Sequence, residues 1–160
     1  MLVTDMNSPD FNSYASVDDC RAYASARGFT LPADDAAVEP LLFQAMDWLE
    51  GRKWKGIPRV FGQNLAWPRA YVKRDYYTIH SDVIPKQVIE AQCRLAVEAQ
   101  TIDLLASNQN GQEVLSEAVS GVVSVTYSEF SRDIAPSFPA VDALLRGLCV
   151  GAGQIAIVRG

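Results

Sequence analysis

The segment IPKQVIEAQCRLAVEAQTIDLLAS, residues 84–107, constrains the fold more than any other part of the chain. Its apolar residues recur at helical spacing along two faces, and Pro85 suits the first helical position. The pattern predicts a helix of about six turns that is covered on two sides. It is either the central helix of a domain or a helix that also faces a neighbouring subunit. One face holds Val88, Ala91, Leu95, Ala99 and Ile102, and the other holds Ile89, Cys93, Ala96, Val97 and Leu104.

Two shorter helices are predicted before this one. In SVDDCRAYASARG, Ser16 is a suitable N-cap with Asp19 three residues later, and Gly28 is a suitable residue to end the helix. The second helix lies in DDAAVEPLLFQAMDWLEG, residues 34–51, and ends at Gly51. Pro40 leaves two starts open. Either it lies in the first helical turn, or the helix begins earlier and bends at the proline.

The last third of the chain carries β-prone sequence and a short helix. Alternating apolar and polar residues predict a strand at about residues 119–128. The string FPAVDALLRGLCV predicts a helix that starts at Pro139. A second strand is predicted at residues 155–158. It pairs either with the sheet edge of another chain or with the first strand in the same subunit.

These elements predict a mainly α fold: a small bundle of about four helices, with a long loop between helices 2 and 3 and a short β element. The 160 residues are near the commonest size for one domain, and 49% of them are hydrophobic. We expect residues 1–150 to form this single domain. Residues 151–160 are expected to form a tail or docking arm, with the candidate docking residues Gln154, Ile155, Ala156, Ile157, Val158 and Arg159.

Charge is unevenly distributed along the sequence. Lysine and arginine number 14 against 19 aspartate and glutamate residues, for a net charge of −5. This balance disfavours generic binding to nucleic acid, which depends on counterion release. Residues 1–50 carry a net charge of −7, residues 51–90 carry +5 and residues 91–160 carry −3. Either the acidic and basic regions meet between neighbouring copies of the chain, or they neutralise each other within one subunit.

Residues that commonly carry catalysis or bind metal are few. His80 is the single histidine, so we expect no His-based metal site and no Cys/His dyad. Cys20, Cys93 and Cys149 are predicted to be reduced and buried rather than paired in disulfides. We therefore expect neither enzymatic activity nor a cofactor.

The sequence gives no sign of a membrane-directed segment. The N-terminal string MLVTDMNSPD has no basic region and no apolar run. No stretch approaches the ~18 apolar residues of a membrane span. We expect synthesis in the cytoplasm and no membrane partner.

Residues 52–84 form a long segment without helical or strand periodicity, interrupted by glycine and proline. A loop of this length within a compact domain tends to be functional or to be a binding arm. We expect Trp67 to hold it on the core, since a buried indole contributes a large apolar area. The cations either bind nucleic acid together with the aromatic residues or only solvate the loop. The cations are Arg52, Lys53, Lys55, Arg59, Arg69, Lys73 and Arg74, and the aromatic residues are Trp54, Phe61, Trp67, Tyr71, Tyr76 and Tyr77.

Several strings, taken in order, resemble the head-tail connector (adaptor) family of tailed bacteriophages. They are LLFQAMDWLEG, QNLAWPRA, IPKQVIEAQCRLAVEA, and SGVVSVTY followed by a leucine-rich helix. Proteins of this pattern are also labelled DnaT-like single-stranded DNA-binding proteins. The most specific string, LAWPR, belongs to a loop signature formed by Gln63, Leu65, Trp67, Pro68 and Arg69.

The resemblance implies a mainly helical subunit with a structural role and no catalysis. A connector would form a ring of about twelve copies beneath the portal protein. It would join the capsid to a tail or tail-completion protein in the neck of the virion, after synthesis in the host cytoplasm. Packaged DNA would pass through its lumen without sequence-specific contacts. The candidate cations for the subunit interface or the DNA channel are then Arg52, Lys53, Lys55, Arg59, Lys73 and Arg74.

The alternative hypothesis is a single-stranded DNA-binding accessory protein of replication. The interleaved cations and aromatic residues favour it. The net charge of −5 and the lack of a strand-rich platform place it second to the connector.

Overall fold

The structure, a computed structural model, describes residues 1–105 and 138–150. These residues form four helices and two pairs of short antiparallel strands. The helices are α1 (Val17–Ala26), α2 (Asp35–Glu50), α3 (Lys86–Glu98) and α4 (Pro139–Leu144). The strands are β1 (Ile57–Pro58), β2 (Arg69–Ala70), β3 (Lys73–Arg74) and β4 (Tyr77–Thr78). The predicted mainly α fold is confirmed, with both strand pairs in the loop between α2 and α3.

The first two helices begin at capping residues that the sequence provides. The Ser16 hydroxyl accepts a hydrogen bond from the Asp19 N–H, and the Asp19 carboxylate accepts one from the Ser16 N–H. This reciprocal pair of hydrogen bonds provides acceptors for two backbone N–H groups at the start of the helix that have no acceptor within it. Asp34 caps α2 by accepting a hydrogen bond from the Ala36 N–H. Because α2 begins at Asp35, Pro40 lies inside the helix, and the earlier of the two starts is the correct one.

Helix α3 is shorter than the sequence predicts. It spans 13 residues, and Pro85 is its N-cap rather than its first helical residue. After Glu98 the chain turns, and both the N–H and the hydroxyl of Thr101 donate to the Glu98 carbonyl. Side-chain hydrogen bonds of this kind compete with helix propagation. The prediction of six turns was wrong because the apolar spacing continues beyond the point where local hydrogen bonding ends the helix.

Helix α3 is nevertheless the central helix of the fold. It packs against α1, α2 and α4, so the first of the two alternatives for a helix with two apolar faces is confirmed. Its buried apolar residues are Val88, Ala91, Cys93, Leu95 and Ala96.

Gln92 joins α3 to two other parts of the chain through a buried polar network. Its side-chain oxygen accepts hydrogen bonds from the N–H groups of Tyr14 and Ala15, at 3.0 and 2.8 Å. Its amide group donates to the Ser13 hydroxyl at 2.8 Å and to the Leu42 carbonyl at 3.1 Å. A buried amide with all these partners satisfied adds specificity to the packing of the N-terminal segment.

The residues after α4 hold the beginning of the long loop. The Lys55 N–H donates to the Leu148 carbonyl at 2.9 Å, and the Val150 N–H donates to the Lys53 carbonyl at 2.8 Å. Helix α4 starts at Pro139 as predicted and contributes Val141 to the core. The loop therefore leaves α2 along a segment that is fixed by residues almost a hundred positions later.

Several predictions lie outside the described residues. They concern the strands at residues 119–128 and 155–158 and the docking arm at residues 151–160.

Candidate nucleic-acid interface

Trp67 anchors the long loop to the core. Its side chain is completely buried, and its ring meets the Trp54 ring edge to face with the centroids 5.7 Å apart. Aromatic pairs prefer this arrangement. The Trp67–Pro68 peptide bond is cis. Trp67 is thus buried as expected, and neither indole is exposed to a ligand at the surface.

Tyr14 and Glu50 fix the backbone immediately before Pro68. The Tyr14 hydroxyl donates to the Glu50 carboxylate at 2.7 Å and accepts from the Trp67 N–H at 3.1 Å. The same carboxylate accepts from the Ala66 N–H at 2.9 and 3.1 Å. Burial, and then the nearby Glu50 carboxylate, raise the pKa of Tyr14 well above its ordinary value. The last residue of α2 therefore holds the loop through a neutral tyrosine.

Arg69 points back into its own subunit. Its guanidinium donates to the carbonyls of Lys55, Ala66 and Gly56, at 2.7, 3.1 and 2.8 Å. Burial lowers the pKa of Arg69, although arginine stays charged at neutral pH. Three backbone acceptors occupy the fork of this side chain, so Arg69 joins the two sides of the loop and is not part of its surface.

Gln63 closes the turn between β1 and β2. Its amide group donates to the carbonyls of Leu65 and Pro68, at 2.7 and 3.0 Å, and its side-chain oxygen accepts from the Val60 N–H at 3.0 Å. Leu65 is partly buried against the core. The whole loop signature therefore shapes the loop itself: Gln63, Leu65, Trp67, Pro68 and Arg69.

The second ribbon, β3 and β4, ends in a two-residue turn. Arg74 lies opposite Tyr77, and the turn residues Asp75 and Tyr76 have φ of 50° and 69°. Two positive φ angles are the requirement of a type I′ hairpin turn, in which glycine and asparagine are usual. The sequence predicted neither ribbon, because strands of two residues are too short to display a period.

Gly56 allows the first ribbon, β1 and β2, to pack against the residues that lead into the second. It has φ of 70°, and a Cβ atom there would lie 2.2 Å from the Ala70 carbonyl oxygen and 2.7 Å from Val72 Cγ2. No side chain fits at that position without moving the backbone.

Four aromatic side chains of the loop are exposed. Their exposed fractions are 103% for Phe61, 80% for Tyr71, 102% for Tyr76 and 80% for Tyr77. Phe61 lies between β1 and β2, and the tyrosines lie in or next to the second ribbon. We call these four residues the aromatic surface. They contribute little burial to the fold, and a loop that exposes several large aromatic side chains is typical of an interaction site.

The loop arginines and lysines differ in their partners. Each loop arginine other than Arg69 has a carboxylate neighbour: Arg52 with Asp142 at 3.2 Å, Arg59 with Asp82 at 2.8 Å, and Arg74 with Asp75 at 3.7 Å. By contrast, Lys53, Lys55 and Lys73 form no ion pair with any residue of 1–105 or 138–150. These three lysines are the cations of the loop whose charge is least compensated.

The acidic N-terminal region does not neutralise the basic loop through ion pairs. Within the described ranges, no ion pair joins a cation of residues 51–90 to an acidic side chain of residues 1–50. Arg52 is instead paired with Asp142 and lies 3.6 Å from the centre of the Trp48 ring. The loop therefore keeps a local positive charge in a chain whose net charge is negative.

The histidine and the cysteines, which the sequence offered as candidates for catalysis and metal binding, do not form a site in the described residues. His80 is exposed in the loop, and its Nδ1 accepts a hydrogen bond from the Asp82 N–H at 3.3 Å. All three cysteines are free thiols, and Cys20 and Cys93 are buried as predicted, whereas Cys149 is only partly buried. Burial raises the pKa of the Cys149 thiol to about 11. In the part of the chain that the structure describes, no three potential metal ligands cluster and no helix is long and apolar enough to cross a membrane.

A family model described as "Putative DnaT-like ssDNA binding protein" matches residues 1–160. The curated proteins and the solved structures contain no match to the chain. The family finding contradicts the head-tail connector hypothesis, so the assignments as a virion component and as a ring between portal and tail were wrong. Three of the strings that suggested a connector, LLFQAMDWLEG, QNLAWPRA and IPKQVIEAQCRLAVEA, lie in the described residues and build the core and the loop scaffold. Such residues determine a fold rather than a partner. The chain belongs to the family of DnaT-like single-stranded DNA-binding proteins.

Proposed function

We propose that this protein binds single-stranded DNA through the aromatic surface and the neighbouring lysines, as an accessory protein of DNA replication without catalytic activity. The observation that carries the proposal is the exposure of four aromatic rings within one basic loop. Exposed bases of a single strand stack on aromatic rings, and stacking tolerates every base because each has a π-face.

The scaffold of the loop supports this function. A binding surface made of flexible loop residues would lose conformational entropy on each encounter. Here Trp67, Arg69 and the pair of Tyr14 and Glu50 fix the loop backbone before any ligand arrives. The rings are presented by a held backbone, and the entropy lost on binding is correspondingly small.

The charges supply the second component of binding. Lys53, Lys55 and Lys73 have no carboxylate partner among the described residues, so they are available to phosphates of a strand that crosses the ribbons. The net charge of −5 opposes non-specific coating of DNA. We therefore expect modest affinity that depends strongly on salt.

The direct test is fluorescence anisotropy with a labelled oligothymidine at low salt. Wild-type protein should bind it, and Phe61→Ala and Tyr77→Ala should each weaken binding by about 1–3 kcal/mol, the usual contribution of one stacked base. Tyr23→Ala in α1 is the control, since it removes a ring outside the loop. An anisotropy that stays flat for wild-type protein would refute the proposal.

A further inference from the structure

An open groove lies beside the loop, between residues 6–9 of the N-terminal segment and the turn of the first ribbon. Its volume is about 380 Å³, near the lower end of the ~300–1,000 Å³ of small-molecule sites. The Asn64 amide holds its two walls together by donating to the Pro9 carbonyl at 2.6 Å. A groove of this size accommodates a small ligand or one unit of a polymer.

The lining of the groove combines apolar and polar side chains. Its apolar lining includes Met6 and Val60, which are accessible, and Phe11, Trp67 and Pro68, which are buried. Asn7 and Asn64 supply amide groups, and within the described ranges neither the Asn7 side chain nor the Asn64 side-chain oxygen has a hydrogen-bond partner. A flat heterocycle with donors and acceptors on its edge, such as a nucleobase, matches a lining of this kind.

The groove is also lined by a cation. Arg59 lines it and is held by Asp82 at 2.8 Å. An arginine oriented by one carboxylate still has donors left for a phosphate oxygen. A nucleotide consists of a base, a sugar and a phosphate, and the lining contains groups suited to the base and to the phosphate.

The groove also lies next to one residue of the aromatic surface along the chain. Val60 lines it, and the next residue is Phe61, whose ring is 103% exposed. A strand with one base stacked on Phe61 therefore brings a neighbouring nucleotide to the groove.

We infer that this groove binds one nucleotide of the DNA strand, with the base edge toward Asn7 and Asn64 and the phosphate near Arg59. The inference rests on the proposed function and adds a contact of a different kind. Stacking on exposed rings does not distinguish bases, whereas amide groups read the edge of a base. The groove is therefore the part of the surface that gives the protein a base preference.

The test is a titration of isotope-labelled full-length protein with oligothymidine. The side-chain amide signals in ¹H–¹⁵N spectra monitor the binding. The signals of Asn7 and Asn64 should move together with the backbone signal of Phe61. In anisotropy, Asn7→Ala should weaken binding about two- to ten-fold, the usual effect of one lost hydrogen bond. Gln44→Ala is the control: it removes a side-chain amide that lies in α2, and it should leave the affinity for DNA unchanged.

The outcomes separate this inference from the proposed function. If the Phe61 signal moves while the Asn7 and Asn64 signals stay in place and Asn7→Ala binds like wild type, the groove is empty in the complex and the inference fails alone. If no signal moves and wild-type protein does not bind, both the groove and the DNA-binding function are refuted.

Discussion

Tyr76 has a backbone conformation that disfavours its own side chain. Its φ is 69° at the tip of the second ribbon, a region that costs a residue with a Cβ atom roughly 1–2 kcal/mol. Its ring is fully exposed and packs against nothing in the described structure. A strained residue without a packing role is most readily explained by a role in binding, since strain of this kind concentrates at functional sites.

Replacing Tyr76 with asparagine should therefore weaken DNA binding without lowering the stability of the fold. Asparagine tolerates a positive φ, so the free energy of unfolding should stay constant or rise by up to about 1 kcal/mol. Loss of the ring should weaken binding to oligothymidine by about 1–3 kcal/mol. Denaturant titration and anisotropy measure the two quantities. A variant that binds as tightly as wild type would show that no base stacks on Tyr76.

Among the elements of the fold, α2 has the most direct connection to the loop. The carboxylate of Glu50, its last residue, accepts hydrogen bonds from Tyr14 and from the Ala66 N–H. Since Tyr14 also accepts from the Trp67 N–H, one hydroxyl joins the N-terminal segment, the end of α2 and the loop. Removal of the Tyr14 hydroxyl should loosen the loop without removing any residue of the proposed binding surface.

Tyr14→Phe should lower the free energy of unfolding by about 1–3 kcal/mol at neutral pH, because the Trp67 N–H loses its acceptor. The variant should also change how the free energy of unfolding depends on pH above neutrality. The folded-state pKa of Tyr14 is raised, so its contribution is complete below the unfolded value of about 10 and declines as the pH rises above it.

Denaturant titrations from pH 8 to pH 11.5 would measure both effects on unfolding. Wild-type protein should lose stability above about pH 10 more steeply than Tyr14→Phe does. Tyr77→Phe is the control, since that hydroxyl belongs to an exposed residue. Equal alkaline slopes for wild type and Tyr14→Phe would contradict the role given to this hydroxyl.

At the scale of the whole molecule, binding to DNA must overcome a net charge of −5. The ion pairs of the described residues leave the acids of residues 1–50 separate from the cations of the loop. Attraction at the loop is therefore local, and the rest of the surface repels a phosphate backbone. This arrangement favours a strand that touches the protein at one place over a strand that wraps around it.

Neutralising the three lysines, Lys53→Gln, Lys55→Gln and Lys73→Gln, should reduce the salt dependence of binding. Each phosphate contact contributes about 0.7 to the slope of log K against log salt concentration for single strands, so the slope should decrease by about 2. Anisotropy between low and physiological salt measures it. Lys86→Gln in α3 is the matched control, and its slope should equal that of wild type. An unchanged slope in the triple variant would place the strand elsewhere.

Local chemistry was sufficient to predict the helices and the burial of Trp67. Ser16 with Asp19 and the apolar spacing of α3 are patterns whose effect depends on neighbours in the sequence. The structure contains the cap as expected, whereas α3 ends at Glu98, before the last residues of its two predicted faces. Local chemistry did not predict which loop residues are buried and which are exposed. Arg69 and Lys73 are both cations, and Trp67 and Tyr76 are both aromatic, yet one of each pair is buried and the other exposed.

The sequence by itself determined the mainly helical core, because capping and apolar periodicity act over one or two helical turns. Only the tertiary structure decided which loop residues form the scaffold and which form the surface. That choice depends on acceptors and packing partners supplied from distant positions, such as Tyr14 for the Trp67 N–H and the Leu148 carbonyl for Lys55. No local pattern encodes a partner that lies 50 or more residues away, so the aromatic surface became apparent only once the chain was folded.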